Sequence, residues 1–140
     1  MEKPFISIIV PTRGRAFFTE NVLRNFYRQT YPKKRMELLI HEDGEPSMKE
    51  HLPADKRIKY HYSKSKTPFS IGKKRNKLCS LAKGEIIVQM DDDDFYPPTC
   101  VSHIVKSLTP KKYEVACLDD LYVYDLKKDK TIAHVKLKSP

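Results

Sequence analysis

Residues 84–98 read GEIIVQMDDDDFYPP. The largely apolar run at 85–90 has the length and β-branched content of a buried strand. Four aspartates, Asp91 to Asp94, follow it without a spacer. Like charges this close repel, and each loses hydration when buried, so the acids need a compensating partner. One candidate is the next helix. Carboxylates accept the free N–H groups of a helix N-terminus and suit its dipole. Pro97 and Pro98 fit the first turn of a helix running to about Leu108, because that turn needs no backbone donor. One or two acids serve a cap, and four exceed it. Asp94 can cap while its neighbours serve another purpose.

The other candidate partner is a hard divalent cation. Carboxylate oxygens suit Mg²⁺ or Mn²⁺, and a bound diphosphate would supply the ligands that the protein does not. A calcium loop of the EF-hand kind is excluded, since Tyr96 stands where its glycine is needed and Ser102 where its glutamate is. Side chains alternate along an extended chain, so Asp91 and Asp93 can share one site and the useful unit is Asp-x-Asp.

Upstream, FISIIV (5–10) is a β-branched run that Pro11 is expected to end. Apolar residues at Phe18, Val22, Leu23, Phe26 and Tyr27 have helical spacing and predict a helix over 17–30, stopped by Pro32. MELLIHEDG (36–44) reads as a strand entering a turn, and RIKYHYS (57–63) as a third strand. Ser70 is placed to cap a helix running to about Ala82, with Gly84 beyond it. EVACL (114–118), LYVYDL (121–126) and TIAHVKL (131–137) predict strands, the last two as a hairpin over KKDK. The early alternation of strand and helix argues for an α/β class with a mostly parallel sheet covered on both faces. Ligands of such sheets bind beyond the carboxyl ends of the strands. Three strands here end in polar clusters, PTRGR, HEDGE and DDDD, which a parallel sheet would gather on one edge.

The chain has 140 residues, of which 39% are apolar and 32% charged, and this is the composition of one globular domain. No apolar run approaches the roughly 18 residues of a membrane span. The start lacks a cleavage site, so an intracellular, cytoplasmic location is the expectation. Cys79, Cys100 and Cys117 are widely spaced and odd in number, fit neither a zinc nor a disulfide pattern, and read as buried free thiols. The net charge of +9 is compatible with phosphate-bearing partners as well as with a solvated lysine-rich surface. The chain has only four glycines and no G-x-G-x-x-G. SIGKKRN lacks the upstream glycine and the following Ser/Thr of a P-loop. A dinucleotide oxidoreductase and a P-loop kinase are therefore both excluded. His41, His61, His103 and His134 have no ligand spacing.

ISIIVPTRGR, YRQTYP, ELLIHEDGE, GKKRNKLCSLAKGEIIVQMDDDD and YPP occur in this order. Together they resemble the nucleotide-sugar-binding half of a family 2 glycosyltransferase, over residues 4–108. The resemblance implies a GT-A fold, a Rossmann-like three-layer α/β/α arrangement on a mostly parallel sheet. It implies one domain over 1–140, lacking most of the acceptor-binding half. It also implies residue roles. Pro11, Thr12 and Arg13 would lie along the nucleoside. In the acidic pair Glu42 and Asp43, a carboxylate would recognise the uracil edge. Arg75, beside Asn76, would contact base or phosphates. Asp91, Asp92 and Asp93 match the metal motif, with Asp93 as the metal ligand and Asp91 holding ribose or assisting the metal. A UDP-sugar donor, Mn²⁺ or Mg²⁺, and a glycan, lipid or protein acceptor follow, with inversion at the anomeric carbon.

The family places its catalytic base well after the metal motif, and only residues 95–140 follow it here. Asp119 and Asp120 are the weak candidates. The family's later Gln/Arg-Trp motif is absent, and the chain contains no tryptophan. An excised donor-binding domain, a minimal transferase and a binding module without turnover all remain open. A basic nucleic-acid binder is the third class. The acidic run between basic clusters and the lack of a nucleic-acid motif argue against it.

Overall fold

A computed structural model describes residues 2–65, 67–109, 113–118, 120–125 and 127–136. The chain divides into two compact units, Met1–Val105 and Lys106–Pro140. The first holds a four-stranded parallel sheet of β1 (Ile6–Thr12), β2 (Met36–Glu42), β3 (Ile58–Tyr62) and β4 (Ile86–Gln89), in the order β3-β2-β1-β4. Three helices belong with it: α1 (Thr19–Tyr27), α2 (Ile71–Leu81) and α3 (Cys100–Leu108), the last running across the unit boundary. Among the described residues no helix is long and apolar enough to cross a membrane.

The alternation of β1 builds the layers. Ile6, Ile8 and Val10 face one way and pack with Leu38, Ile40, Val88, Val22 and Phe26 of α1, and Val101 and Val105 of α3. Ile9 faces the other way and packs with Leu39 and with Leu78 of α2. Burying a side chain such as Ile8 completely contributes about 1.5–3 kcal/mol. Helices thus cover both faces, giving the three layers expected. On the thinner α2 face the sheet carries polar residues. Ser7 Oγ donates to Glu37 Oε1 at 2.7 Å and accepts the Gly84 N–H at 2.8 Å. A Cβ at position 84 would lie 2.4 Å from the Ser7 nitrogen, so Gly84 is required by this close crossing more than by the helix end.

Most elements lie where the sequence predicts them, with small differences. β1 continues through Pro11 to Thr12. β4 pairs with β1 only as far as Gln89 opposite Ile9, closed by the Met90 N–H to the Ile9 carbonyl. The missing donor of Pro11 therefore falls where β4 has already ended, and no ladder bond is lost. The first helix starts after a 3₁₀ turn (Ala16–Phe18) and stops at Tyr27, short of Thr30. Ser70 caps α2, its Oγ accepting the Lys73 N–H at 3.2 Å. Pro97 and Pro98 form a turn ahead of α3, the Pro97 carbonyl taking the Cys100 N–H at 3.0 Å, and the helix begins at Cys100.

In the second unit β5 (Asp120–Asp125) pairs antiparallel with β6 (Lys130–Lys136). Asp125 Oδ1 accepts the Lys127 and Lys128 N–H groups at the turn. The predicted strand at 114–118 does not form. Those residues have no strand partner among the described residues, and Val115 is 75% exposed. Only Cys100 of the three thiols is buried; Cys79 and Cys117 are exposed. Cys79 follows the buried Leu78 around the helix and so falls on the outer side of α2.

Candidate active site

The strand order reverses between β1 and β4. Chain entering from β1 runs outward to β2 and β3, and β4 returns on the far side of β1. Loops diverge at such a point and leave a crevice at the carboxyl edge. A cleft of about 360 Å³ lies there, lined by Pro11, Thr12, Arg13 and Arg15 after β1, Phe69, Ile71 and Lys74 at the start of α2, and Asp91 to Asp93 after β4. That volume is within the range of small-molecule sites. Gly14 makes the β1 turn possible: its φ of +59° and a Cβ position 2.5 Å from the Glu45 carbonyl oxygen admit no side chain.

The acidic run is ordered by neighbours from far along the chain. Asp92 points inward, 3% exposed, and accepts the Thr12 hydroxyl at 2.6 Å and Arg15 Nη1 at 2.8 Å. The same Arg15 nitrogen reaches Asp93 Oδ2 at 2.8 Å. Arg75 Nη2 reaches Asp91 Oδ1 at 3.0 Å. The side chains of Asp91 and Asp93 are 42% and 45% exposed, so the two outer acids open towards solvent while the middle one is tied down. Asp94 faces none of the cleft. Partial desolvation, then the charges of Asp91 and Asp93, raise its carboxyl above the usual range, and Tyr96 donates to it at 3.3 Å. Burial, with the charges of Asp94 and Asp91, holds the Tyr96 phenol well above its ordinary value. It stays protonated and accepts the Asp91 N–H at 2.9 Å.

A polar ladder on α1 holds the backbone of this loop. Asn21 Nδ2 donates to the Asp92 and Asp94 carbonyls, each at 2.9 Å. Asn25 Nδ2 donates to the Asp94 carbonyl at 2.8 Å, and its Oδ1 accepts the Tyr96 N–H. Beyond the helix end, Gln29 donates to the Pro97 carbonyl and accepts the Val101 N–H. The spacing of four residues puts all three on one face. Sequence reading gave them no role, since nothing local marks partners about 70 residues further along.

The acids after β2 behave differently. Glu42 is fully buried. Its Oε2 accepts Ser47 Oγ, the Met48 N–H and the Tyr60 hydroxyl at 3.0, 2.9 and 2.8 Å, so it binds its own loop and does not line the cleft. Asp43 is also sealed, its side chain 0% exposed. Its Oδ1 accepts Lys74 Nζ at 2.7 Å, and its Oδ2 accepts the Phe69 N–H at 2.6 Å and Arg13 Nη1 at 3.4 Å. Burial pushes this carboxyl up, but Lys74, the Phe69 N–H and Arg13 together outweigh it and hold it below the usual range. Asp43 thus stands directly behind three cleft-lining residues rather than in the wall. Asn76 is exposed on α2 and outside the lining. Of the base candidates, Asp119 lies outside the described residues, and Asp120 pairs with His134 Nε2 at 2.8 Å within the β5–β6 hairpin.

Lys74 and Arg15 are the cleft cations that sequence reading did not assign. Lys74 carried a signal, since it lies four residues before Leu78 on the buried stripe of α2. A lysine on such a stripe needs a partner.

Solved structures similar to this chain include the mannosyltransferase PcManGT from Pyrobaculum calidifontis in complex with GDP-Man and Mn²⁺, with a TM-score of 0.65 and 22% identity over 76% of this chain and 32% of that one. They include S. aureus TarS 1–349, with a TM-score of 0.64 and 21% identity over 76% of this chain and 32% of that one. TarS 1–349 in complex with UDP-GlcNAc gives 0.63 and 21%, over 76% and 31%. This chain therefore spans about a third of the length of these proteins, and the likeness shows the GT-A fold. No curated protein matches the sequence. Residues 7–134 match the description Glycosyl transferase family 2, and with that span covering nearly the whole chain, the chain belongs to glycosyl transferase family 2.

Proposed function

We propose that this chain is the donor-binding part of a glycosyltransferase that takes a sugar from a UDP-sugar and passes it, with inversion, to a hydroxyl group of a glycan, lipid or protein acceptor. The observation that carries this reading is the meeting of Thr12, Arg13 and Arg15, of Lys74, and of Asp91 to Asp93 around one cleft at the crossover point of a parallel sheet. Guanidinium groups in such a cleft suit a diphosphate, which they contact with forked hydrogen bonds. Asp43 belongs to the base end, behind Lys74 and Arg13, and Pro11 and Thr12 lie along the nucleoside. The GDP-Man and UDP-GlcNAc of the similar structures support a nucleotide-sugar ligand.

The donor set fits a hard divalent ion. Asp91 and Asp93 offer half-open carboxylates, and among the described residues no cluster of three or more His, Cys, Asp or Glu is arranged to hold a metal by itself. Mn²⁺ or Mg²⁺ held by Asp93 and Asp91 would complete its shell with phosphate oxygens, as the Mn²⁺ of the PcManGT complex also suggests. When bound, it would offset charge on the diphosphate and on the departing nucleotide. The chain's own part is positioning: Arg15 and Thr12 fix Asp92, the α1 ladder fixes the loop, and the acceptor hydroxyl attacks from the face opposite the leaving nucleotide.

Calorimetry with UDP and Mn²⁺ tests the shared premise. Binding that needs both, and UDP release from a UDP-sugar that stops in Asp93→Ala, is the expected result. A folded protein that binds no nucleoside diphosphate in the presence of Mn²⁺ would overturn it. A binding module without turnover is the second reading, favoured by Asp120, the base candidate among the described residues, being paired with His134 inside the β5–β6 hairpin. Binding without UDP release would select it.

A further inference from the structure

Two arginines meet the open acids of the cleft, and they are held unequally. Arg15 has two anchors. Its Nη1 donates to Asp93 Oδ2 and to Asp92 Oδ1, each at 2.8 Å, and Asp92 is itself buried and fixed by the Thr12 hydroxyl. Arg75 has one. Its Nη2 donates to Asp91 Oδ1 at 3.0 Å, and its Nε is buried without a hydrogen-bond partner. A buried N–H left unbonded is costly, so the charge of Asp91 is what holds this placement of Arg75. Asp91 lines the cleft, and the guanidinium therefore stands at its margin.

Asp91 serves two cations poorly. On the bonded oxygen a divalent ion must displace Nη2. On the free oxygen it faces the guanidinium across a single carboxylate, where like charges repel. We propose that Arg75 is an exchangeable counter-ion of the metal site. It neutralises Asp91 and keeps the affinity of the acids for a divalent ion low. A diphosphate entering the cleft draws the guanidinium off, gives Nε the acceptor it lacks, and frees Asp91 for the ion. Metal and diphosphate then bind with positive coupling, each raising the affinity of the site for the other by the same factor. Arg15, anchored by Asp92, stays in place. This rests on the nucleotide-sugar reading of the cleft and deepens it by naming the residue that makes the two ligands depend on each other.

Mn²⁺ binding without nucleotide, read from the electron paramagnetic resonance signal of the free ion, tests the exchange apart from any activity. Arg75→Gln should bind Mn²⁺ about fivefold or more tightly than the wild type. In an Asp91→Asn background the same substitution should change Mn²⁺ affinity by less than about twofold. Saturating UDP should tighten Mn²⁺ in the wild type by about fivefold more than in Arg75→Gln; chelation by free UDP is common to both and cancels. Arg75 is 30% exposed, circular dichroism checks the fold of each variant, and Arg75→Met, which keeps the apolar stem, replaces Arg75→Gln if that variant does not fold. Equal Mn²⁺ affinity in the wild type and Arg75→Gln would overturn the proposal and leave the bridge a structural contact. The same gain in both backgrounds would also overturn it, since the general field of the arginine and not its bridge would then be acting. No Mn²⁺ binding by the folded wild type, with or without UDP, would instead sink the nucleotide-sugar reading itself.

Discussion

The two acidic groups at the carboxyl edge of the sheet solve the same electrostatic problem in opposite ways. Asp43 is sealed, with its counter-charge supplied by Lys74 from within the fold. Asp91 and Asp93 are left nearly half exposed, bridged only at their margins by Arg75 and Arg15. A carboxylate neutralised inside the protein contributes to stability and to the shape of the cleft. A carboxylate left open keeps capacity for charge from outside, here the proposed divalent ion. Residue type alone therefore does not locate chemistry; the completeness of the internal pairing does.

Substitution of the sealed pair gives the largest expected effect. Lys74→Met leaves a buried carboxylate with only the more distant Arg13 as cation and should cost about 3–5 kcal/mol of stability, measured by urea unfolding. Adding Asp43→Leu should recover much of that loss. The open edge should behave inversely. Asp93→Ala is expected to lower UDP release by about 10²–10³-fold, with a melting temperature near that of the wild type. A loss of stability in Asp93→Ala comparable to that in Lys74→Met would break the comparison.

A pH series sharpens it at smaller amplitude. Because the Asp43 carboxyl is depressed in the native state, its contribution is complete above the ordinary aspartate value near ~3.9 and is lost as pH falls through the native one. The slope is at most about 1.4 kcal/mol per pH unit for one proton. In Lys74→Met this dependence should shrink, since only the Phe69 N–H and Arg13 then oppose the effect of burial on the carboxyl. The smallest effect belongs to Arg15→Gln. Arg15 is 44% exposed, which screens its bridge, and the buried Asp92 keeps the Thr12 hydroxyl, so it should cost about 1 kcal/mol in thermal unfolding.

Much of the frame was legible because its cues are local. Apolar runs mark β1, β2 and β4, Ser70 marks the start of α2, and the turn residues at 127–129 mark the hairpin. The parallel sheet followed from the alternation, and with it the gathering of PTRGR and DDDD on one edge. The ordered motifs were enough to reach the family. Less legible were the places where a polar residue goes inside. Lys74, Asn25 and Gln29, which carry no role in the sequence reading, are buried against groups distant in sequence, and Glu42, read as a site residue, is buried against its own loop and Tyr60. The segment at 114–118 shows the converse, since strand propensity without a partner makes no strand.

The strand and helix pattern and the acids at the tip of β4 were readable in the residues alone, because they depend on periodicity and on neighbours a few residues away, and the ordered motifs carried the family resemblance. Only the tertiary structure decided which acids are sealed and which stay open, and that Lys74 rather than Asp43 lines the cleft. The reason is physical: whether a charge is tolerable inside depends on partners that folding brings from 30 to 80 residues away, and no local pattern records them.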